Sequence, residues 1–253
     1  MRSAGQLKWT SAADSNVGSV RAVNEDAYLV VPEWGLWAVA DGMGGHDAGD
    51  VASRMVVEQL RRAVPLSDDR SYVDTVKCCL ESANARLRAE SARHHEHRVI
   101  GSTVVVLLAH HDHITCLWVG DSRLYRLREG KLLQLTRDHS HVQNLIEHGL
   151  LQPADAKLHP MANVITRAVG SEHALPLDTV TSALQSNDTY LLCSDGLTKM
   201  MEDIEIATLL SYRDSRKSVR ALIDLALARG AEDNVTTVVI NVDDNGPDNI
   251  DSR

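Results

Sequence analysis

Short apolar runs rich in β-branched residues recur along this chain, and their spacing constrains the fold more than any other feature. They are AYLVV (27–31), LWAVA (36–40), TVVVLLA (103–109), ITCLWVG (114–120), RLYRL (123–127), TYLLC (189–193) and VTTVVIN (235–241). Runs of this length and composition read as strands. HHDH (110–113) separates two of them as a hairpin turn would, and REG (128–130) stands in the same relation to KLLQL. Helical periodicity occupies separate blocks. Ala52, Met55, Val56, Leu60 and Ala63 line one face, and Val73, Val76, Leu80, Ala83 and Leu87 another. Val219, Leu222, Ile223, Ala226 and Leu227 form a third, closed by Gly230 as a C-cap. Hairpin-linked strands and grouped helices argue against strict βαβ alternation. They predict an α+β fold, with antiparallel sheets covered by helices.

No Pro/Ser-rich linker or internal repeat divides the 253 residues. One domain over 1–242 is expected, followed by a polar tail at 243–253 that frays. Phenylalanine is absent, so the core relies on Leu, Val, Ile and Ala. The formal net charge of −9 comes with no dense Lys/Arg stripe. Nucleic acid and anionic lipid are therefore not expected partners, because both are bound through basic surface. Cys78, Cys79, Cys116 and Cys193 include no CxxC pair, Cys78 and Cys79 are adjacent, and the four read as reduced thiols. The N-terminal MRSAGQLKWTSAADSN lacks an apolar core like that of a signal peptide. VVVLLA (104–109) is too short to span a bilayer. A cytoplasmic, soluble protein is expected.

The apolar runs carry carboxylates at their ends. LWAVADGMGG stops at Asp41, CLWVGDS at Asp121, and YLLCSDG at Asp195-Gly196. Asp233 immediately precedes a strand in AEDNVTTVVI, as Glu25 and Asp26 do in NEDAYLV. One Asp-Gly is ordinarily a turn. Strand ends in stacked sheets can converge on one edge, however, and ionised carboxylates gathered there repel unless a cation holds them. Oxygen ligands without nearby His or Cys select Mg²⁺ or Mn²⁺ over Zn²⁺. Gly42, lacking a side chain, lets its carbonyl approach an ion. Two such cations hydrolyse phosphate esters by activating water and neutralising phosphoryl oxygens. A guanidinium, for which Arg21 is a candidate, would grip the phosphate. DGMGGHDAGD does not fit a calcium-binding EF-hand loop, because its third and fifth positions are not acidic.

The ordered set Arg21-Ala-Val-Asn24-Glu25-Asp26, Asp41-Gly42-Met43-Gly44-Gly45, Gly120-Asp121-Ser122-Arg123, Ser194-Asp195-Gly196 and Asp233-Asn234 resembles the motifs of metal-dependent Ser/Thr protein phosphatases of type 2C. The resemblance runs from about Ser15 to Val242 and includes Thr136–Ser140 and Ile165–Gly170. It implies two antiparallel sheets packed face to face, with helices on both outer sides. It also implies two or three Mn²⁺ or Mg²⁺ ions. Asp41 would bridge two of them, the Gly42 carbonyl would bind one, and Asp195 and Asp233 the other. Asp121 with Asp195 would hold a third. Glu25 and Asp26 would orient water, and Arg21 would hold the phosphate. Activated water would attack phosphorus in line, without a phosphoenzyme. A Cys-x5-Arg phosphatase does not fit, since Lys199 stands six residues after Cys193.

Met43 replaces a histidine that many eukaryotic relatives carry, and it points to the prokaryotic branch. A thioether cannot protonate a leaving group, so water at the metals or His46 would do so. The segment 138–164 resembles the variable flap beside the site, where substrate choice is expected to reside. The clusters HHEH (94–97) and HHDH (110–113) lack zinc spacing and read as a helix end and a turn. The implied partners are phosphorylated proteins and an opposing bacterial Ser/Thr kinase. Two alternatives remain. One is a phosphoprotein-binding pseudophosphatase, which would be expected to lose ligands. The other is a phosphatase of an anti-sigma-factor antagonist, which would be expected to lack the Arg21–Asp26 signature.

Overall fold

The computed structural model describes residues 8–44, 48–63, 69–93, 100–110 and 112–243. In chain order these form β1 (Lys8–Asn16), β2 (Asp26–Val31), β3 (Leu36–Met43), α1 (Ala48–Leu60), α2 (Asp69–Arg93), β4 (Gly101–Ser102), β5 (Val104–His110), β6 (His113–Val119), β7 (Arg123–Arg128), β8 (Lys131–Gln134), α3 (His141–Glu147), β9 (Asp178–Ala183), β10 (Thr189–Cys193), α4 (Asp195–Met200), α5 (Asp203–Leu210), α6 (Ser215–Ala228) and β11 (Val235–Asp243). One sheet has the order β1-β11-β10-β7-β8 and the other β2-β3-β5-β6-β9, with β4 beside β3. All these pairings are antiparallel.

Side chains alternate across a strand, so each central strand serves two cores. In β3, Trp37 and Val39 pack between the sheets with Val105, Leu107, Tyr190, Leu192 and Val238. Leu36, Ala38 and Ala40 face the other way, onto Val56 and Leu60 of α1 and Val76 and Leu80 of α2. In β10, Tyr190 and Leu192 point inward, while Leu191 and Cys193 meet Leu197, Ile206, Leu222 and Ala226 of α4–α6. The result is helix–sheet–sheet–helix layering, as the resemblance implied. Near-continuous apolar runs such as VVVLLA follow from it, because both faces of those strands are covered.

The expected helices are present as α1, α2 and α6. The chain after α6 turns at Gly230, whose φ is +78°, with Arg229 in the cap position before it. Both hairpins form: His110 pairs His113, and Arg128 pairs Lys131 around Glu129 and Gly130. Among the described residues, no helix is long and apolar enough to cross a membrane.

Three strands and three helices have no counterpart among the expected elements: β1, the two-residue β4 and β9, with α3, α4 and α5. β1 (KWTSAADSN) and β9 (DTVTSA) sit at sheet edges and are at best half-buried, so neither needs an apolar run. α3, α4 and α5 are too short to show a period. One expectation is corrected: Asp41-Gly42 is not a turn. β3 runs on through Met43, with Gly42 paired to Ser102 and Met43 to Gly101. The cross-strand partner β4 supplies bonds that keep this Asp-Gly extended. His46, HHEH (94–97) and the tail beyond Asp243 lie outside the described residues, as does His111 of the HHDH turn.

Candidate metal centre

In an antiparallel sheet, the C-terminal end of one strand lies beside the N-terminal end of the next. The C-terminal ends of β3, β6 and β10 and the N-terminal ends of β2 and β11 therefore share one edge of the sandwich. Asp41 stands near the end of β3, two residues beyond inward-facing Val39. Asp121 follows β6, and Asp195 follows β10 as the first residue of α4. Asp26 opens β2 opposite Asp41, and Asp233 precedes β11. Arg21, Glu25, Asp41, Gly42, Asp121, Asp195 and Asp233 all line one cavity of about 320 Å³, together with Met43, Thr103, Asn163 and Lys199. Asp26 lies behind this wall, 9% exposed.

Neutral polar groups fix these carboxylates. Asp26 Oδ2 accepts from Ser194 Oγ and Thr236 Oγ1, each at 2.7 Å. The Asp41 backbone is held on both sides: its N–H donates to Thr103 Oγ1 at 3.1 Å, and its carbonyl accepts from Thr103 N at 2.8 Å and Ser102 Oγ at 3.0 Å. Thr103 Oγ1 also lies 2.7 Å from Ser122 Oγ, joining the end of β3 at Asp41 to the Asp121 loop. Asn234 clamps the loop that carries Arg21 and Glu25. Its Oδ1 accepts from Glu25 N, and its Nδ2 donates to the carbonyls of Val17 and Val23. Before Asp121, Gly120 has φ +103°, and a Cβ there would lie 2.6 Å from the Thr103 side chain.

The electrostatics divide the cluster. Burial pushes the Asp26 carboxyl up to about 7 against the pull of Thr236 and Ser194, and the charges of Asp195 and Asp233 push it the same way. Burial and then Asp195 raise Asp121 to about 8. Asp41 is raised well above the usual carboxylate range by burial, then by Asp26, Asp195 and Asp121. Glu25 is raised by burial, against a hydrogen bond from the Gly49 backbone at the start of α1. Asp233 behaves oppositely: burial alone would raise it, but Lys199 and Arg21 outweigh that and hold it low. Arg21 Nε lies 3.0 Å from Asp233 Oδ1. Lys199 Nζ lies 2.6 Å from Asp195 Oδ2 and 3.2 Å from Asp233 Oδ2.

These residues fit hard divalent cations. Asp26 Oδ1 and Asp195 Oδ1 are buried without a hydrogen-bond partner, a costly state for carboxylate oxygens in a protein interior. Each raised carboxylate is a charge that an added cation would relieve. Among the described residues, no group of three His, Cys, Asp or Glu side chains closes on one point.

The Protein phosphatase 2C profile matches residues 18–238. The chain belongs to the protein phosphatase 2C family. It is 38% identical over 236 residues to the serine/threonine protein phosphatase PstP of Mycobacterium tuberculosis, covering 92% of this chain but 45% of PstP. The chain thus spans about half the length of that relative. A solved structure of PppA, described as a key regulatory component of T6SS in Pseudomonas aeruginosa, is 45% identical with a TM-score of 0.88. That match covers 94% of this chain and 99% of PppA. A catalytic domain of PstP solved with two manganese ions is 35% identical with a TM-score of 0.84, covering 94% of this chain and all of that domain, 100%.

Placed on this type 2C scaffold, the raised carboxylates give the metal-free protein a pH signature. Asp26 and Asp121 rise from an ordinary 3.8 to about 7 and about 8. The folded state therefore holds protons that the unfolded state has released, and stability falls as pH rises through this window. Urea denaturation in EDTA should show declining stability from pH 5 to pH 8. With Mn²⁺ the trend should weaken or reverse, because the ion needs the deprotonated groups. A metal-free protein that gained stability over this range would contradict the assignment of these carboxylates.

The carboxylates and Arg21 of this centre are visible in the sequence. Thr103, Thr236, Asn163 and Lys199 carry no signal in a single chain.

Proposed function

We propose that this protein is a metal-dependent protein-serine/threonine phosphatase that reverses the action of a bacterial Ser/Thr kinase. The observation that carries the reading is a ring of buried, mutually repelling carboxylates at one sandwich edge in a protein phosphatase 2C chain. Asp41, the Gly42 carbonyl, Asp195 and Asp233 would hold two Mn²⁺ or Mg²⁺ ions, and Asp121 with Asp195 a third. The bound ions supply an activated water at neutral pH and neutralise phosphoryl charge. Glu25 and Asp26 orient water at the centre, Asp26 through its unpartnered Oδ1. Arg21 lies at the cavity mouth, 51% exposed, and its contact with Asp233 uses Nε rather than the terminal nitrogens that grip phosphate. Met43 lines the cavity and donates no proton. The described residues act as one catalytic unit, with 138–164 as the flap that sets substrate choice. Cys78, Cys79, Cys116 and Cys193 are all free, which supports a cytoplasmic setting.

The 45% identity with PppA favours a substrate within T6SS regulation. The test is hydrolysis of phosphoserine and phosphothreonine peptides with and without Mn²⁺. Turnover should require the ion, and an Asp195→Ala variant with full activity would remove that residue from the centre. Arg21→Lys keeps the charge but loses the fork. Steady-state kinetics should show KM rising several-fold, the effect of a charged hydrogen bond contributing roughly 1 kcal/mol. An unchanged KM would place the phosphate elsewhere.

A further inference from the structure

The carboxylates of this centre are unequally supplied with internal positive charge. The charges pressing most on Asp41 are those of Asp26, Asp195, Asp121 and Asp233, all acidic. The Asp26 carboxylate accepts, among the described residues, from the hydroxyls of Ser194 and Thr236. Asp195 and Asp233, by contrast, share the ammonium of Lys199, and Asp233 also carries Arg21. Lys199 lies one helical turn after Asp195 on α4, an (i, i+4) pair, so the helix itself delivers the ammonium to the carboxylate. Its side chain is 31% exposed, so the Asp195–Asp233 contacts are only partly screened.

Lys199 Nζ already occupies the Oδ2 atom of each carboxylate, so a divalent cation shared by Asp195 and Asp233 would lie beside the ammonium. Like charges held this close disfavour one another. The ion held mainly by Asp41 has no such competitor among the described residues. We propose that Lys199 is a resident counter-ion of the Asp195–Asp233 pair that competes with the divalent cation there and makes that position the weaker one. The inference rests on the metal-centre reading above and deepens it. It gives the two positions different affinities and assigns the difference to one side chain. Lys199 is a positioning residue here: it touches candidate ligands, not substrate.

The test is Mn²⁺ titration of the full chain by calorimetry, with free Mn²⁺ counted by electron paramagnetic resonance. The parent should bind Mn²⁺ in unequal steps. Lys199→Met keeps the aliphatic stem and removes the charge, and it should tighten the weaker step about tenfold or more. Its metal-free form should melt lower than the parent, because two facing carboxylates lose their counter-ion. Lys199→Arg should bind Mn²⁺ as the parent does. If Lys199→Met does not fold without metal, it is purified in Mn²⁺ and the tightening is read by competition with a chelator, with Lys199→Gln as a second neutral variant. A weaker step that is unchanged or loosened in both neutral variants overturns the proposal. So does a rise in KM with unaltered Mn²⁺ binding, which would make Lys199 a phosphate ligand. A parent chain that binds no Mn²⁺ overturns the metal centre itself, and is told apart because it fails before any variant is made.

Discussion

Asp41→Asn should abolish metal-dependent turnover while leaving the fold intact. Asparagine preserves shape and one oxygen but removes the charge that two cations would share. The Asp41 backbone bonds to Thr103 and Ser102 do not involve its side chain, so they survive the change. The loss in kcat/KM should reach at least ~10³-fold, which corresponds to about 4 kcal/mol of transition-state stabilisation. The same substitution should raise the melting temperature of the metal-free protein at pH 8. Burial and then Asp26, Asp195 and Asp121 all oppose a charge at Asp41, and asparagine carries none. Phosphopeptide hydrolysis in Mn²⁺ and thermal melts in EDTA check the two halves. Retained turnover would remove Asp41 from the centre. A lower melting temperature would mean that its carboxylate is structural.

Gly42→Ala should be nearly as damaging by a different route. A Cβ at Gly42 would lie 1.8 Å from the Gly49 carbonyl oxygen and 2.8 Å from that of Glu25, both backbone atoms. No rotamer change relieves contact with backbone, so β3 and the start of α1 must separate. Gly42 N donates to the Glu25 carbonyl at 3.0 Å, and Gly49 supports the Glu25 carboxylate. The displacement therefore reaches Asp41 and Glu25 together. A shift of about 1 Å in catalytic groups costs on the order of 10²-fold in rate, and that loss is expected in kcat/KM, with weaker Mn²⁺ binding by calorimetry. Gly130→Ala is the control: a Cβ at Gly130 meets nothing within 4 Å, so the centre should be untouched. Its positive φ of +74° should lower stability alone. Wild-type Mn²⁺ affinity in Gly42→Ala would show that the close packing of β3 on α1 does not shape the centre.

The legible parts of this protein are those whose physics is local. Strands buried on both faces are mostly apolar or β-branched, so TVVVLLA, TYLLC and VTTVVIN could be read directly. Helices long enough to repeat a stripe, α1, α2 and α6, were readable for the same reason. β1 and β9 were not, because an edge strand takes its stability from hydrogen bonds to one neighbour and leaves its side chains polar. The apolar run that stops at Asp41 does not mark the end of β3, although local propensity favours a turn at Asp-Gly. Its extension depends on β4, some sixty residues away in sequence.

The candidate site divides along the same line. Its carboxylates, Gly42 and Arg21 were visible because they stand at strand ends in a recurring pattern, and their order carried the family resemblance. Sequence alone determined that acid groups terminate apolar strands. Only the tertiary structure decided that those ends share one edge, since strand pairing is a non-local choice. It also decided that Thr103, Asn234 and Thr236 hold the carboxylates in place and that Lys199 reaches Asp195 and Asp233. An ammonium's role depends on which oxygens lie within about 3 Å of it, where charge–charge energy is steepest, and the bonds that bring those oxygens together join residues far apart in the chain.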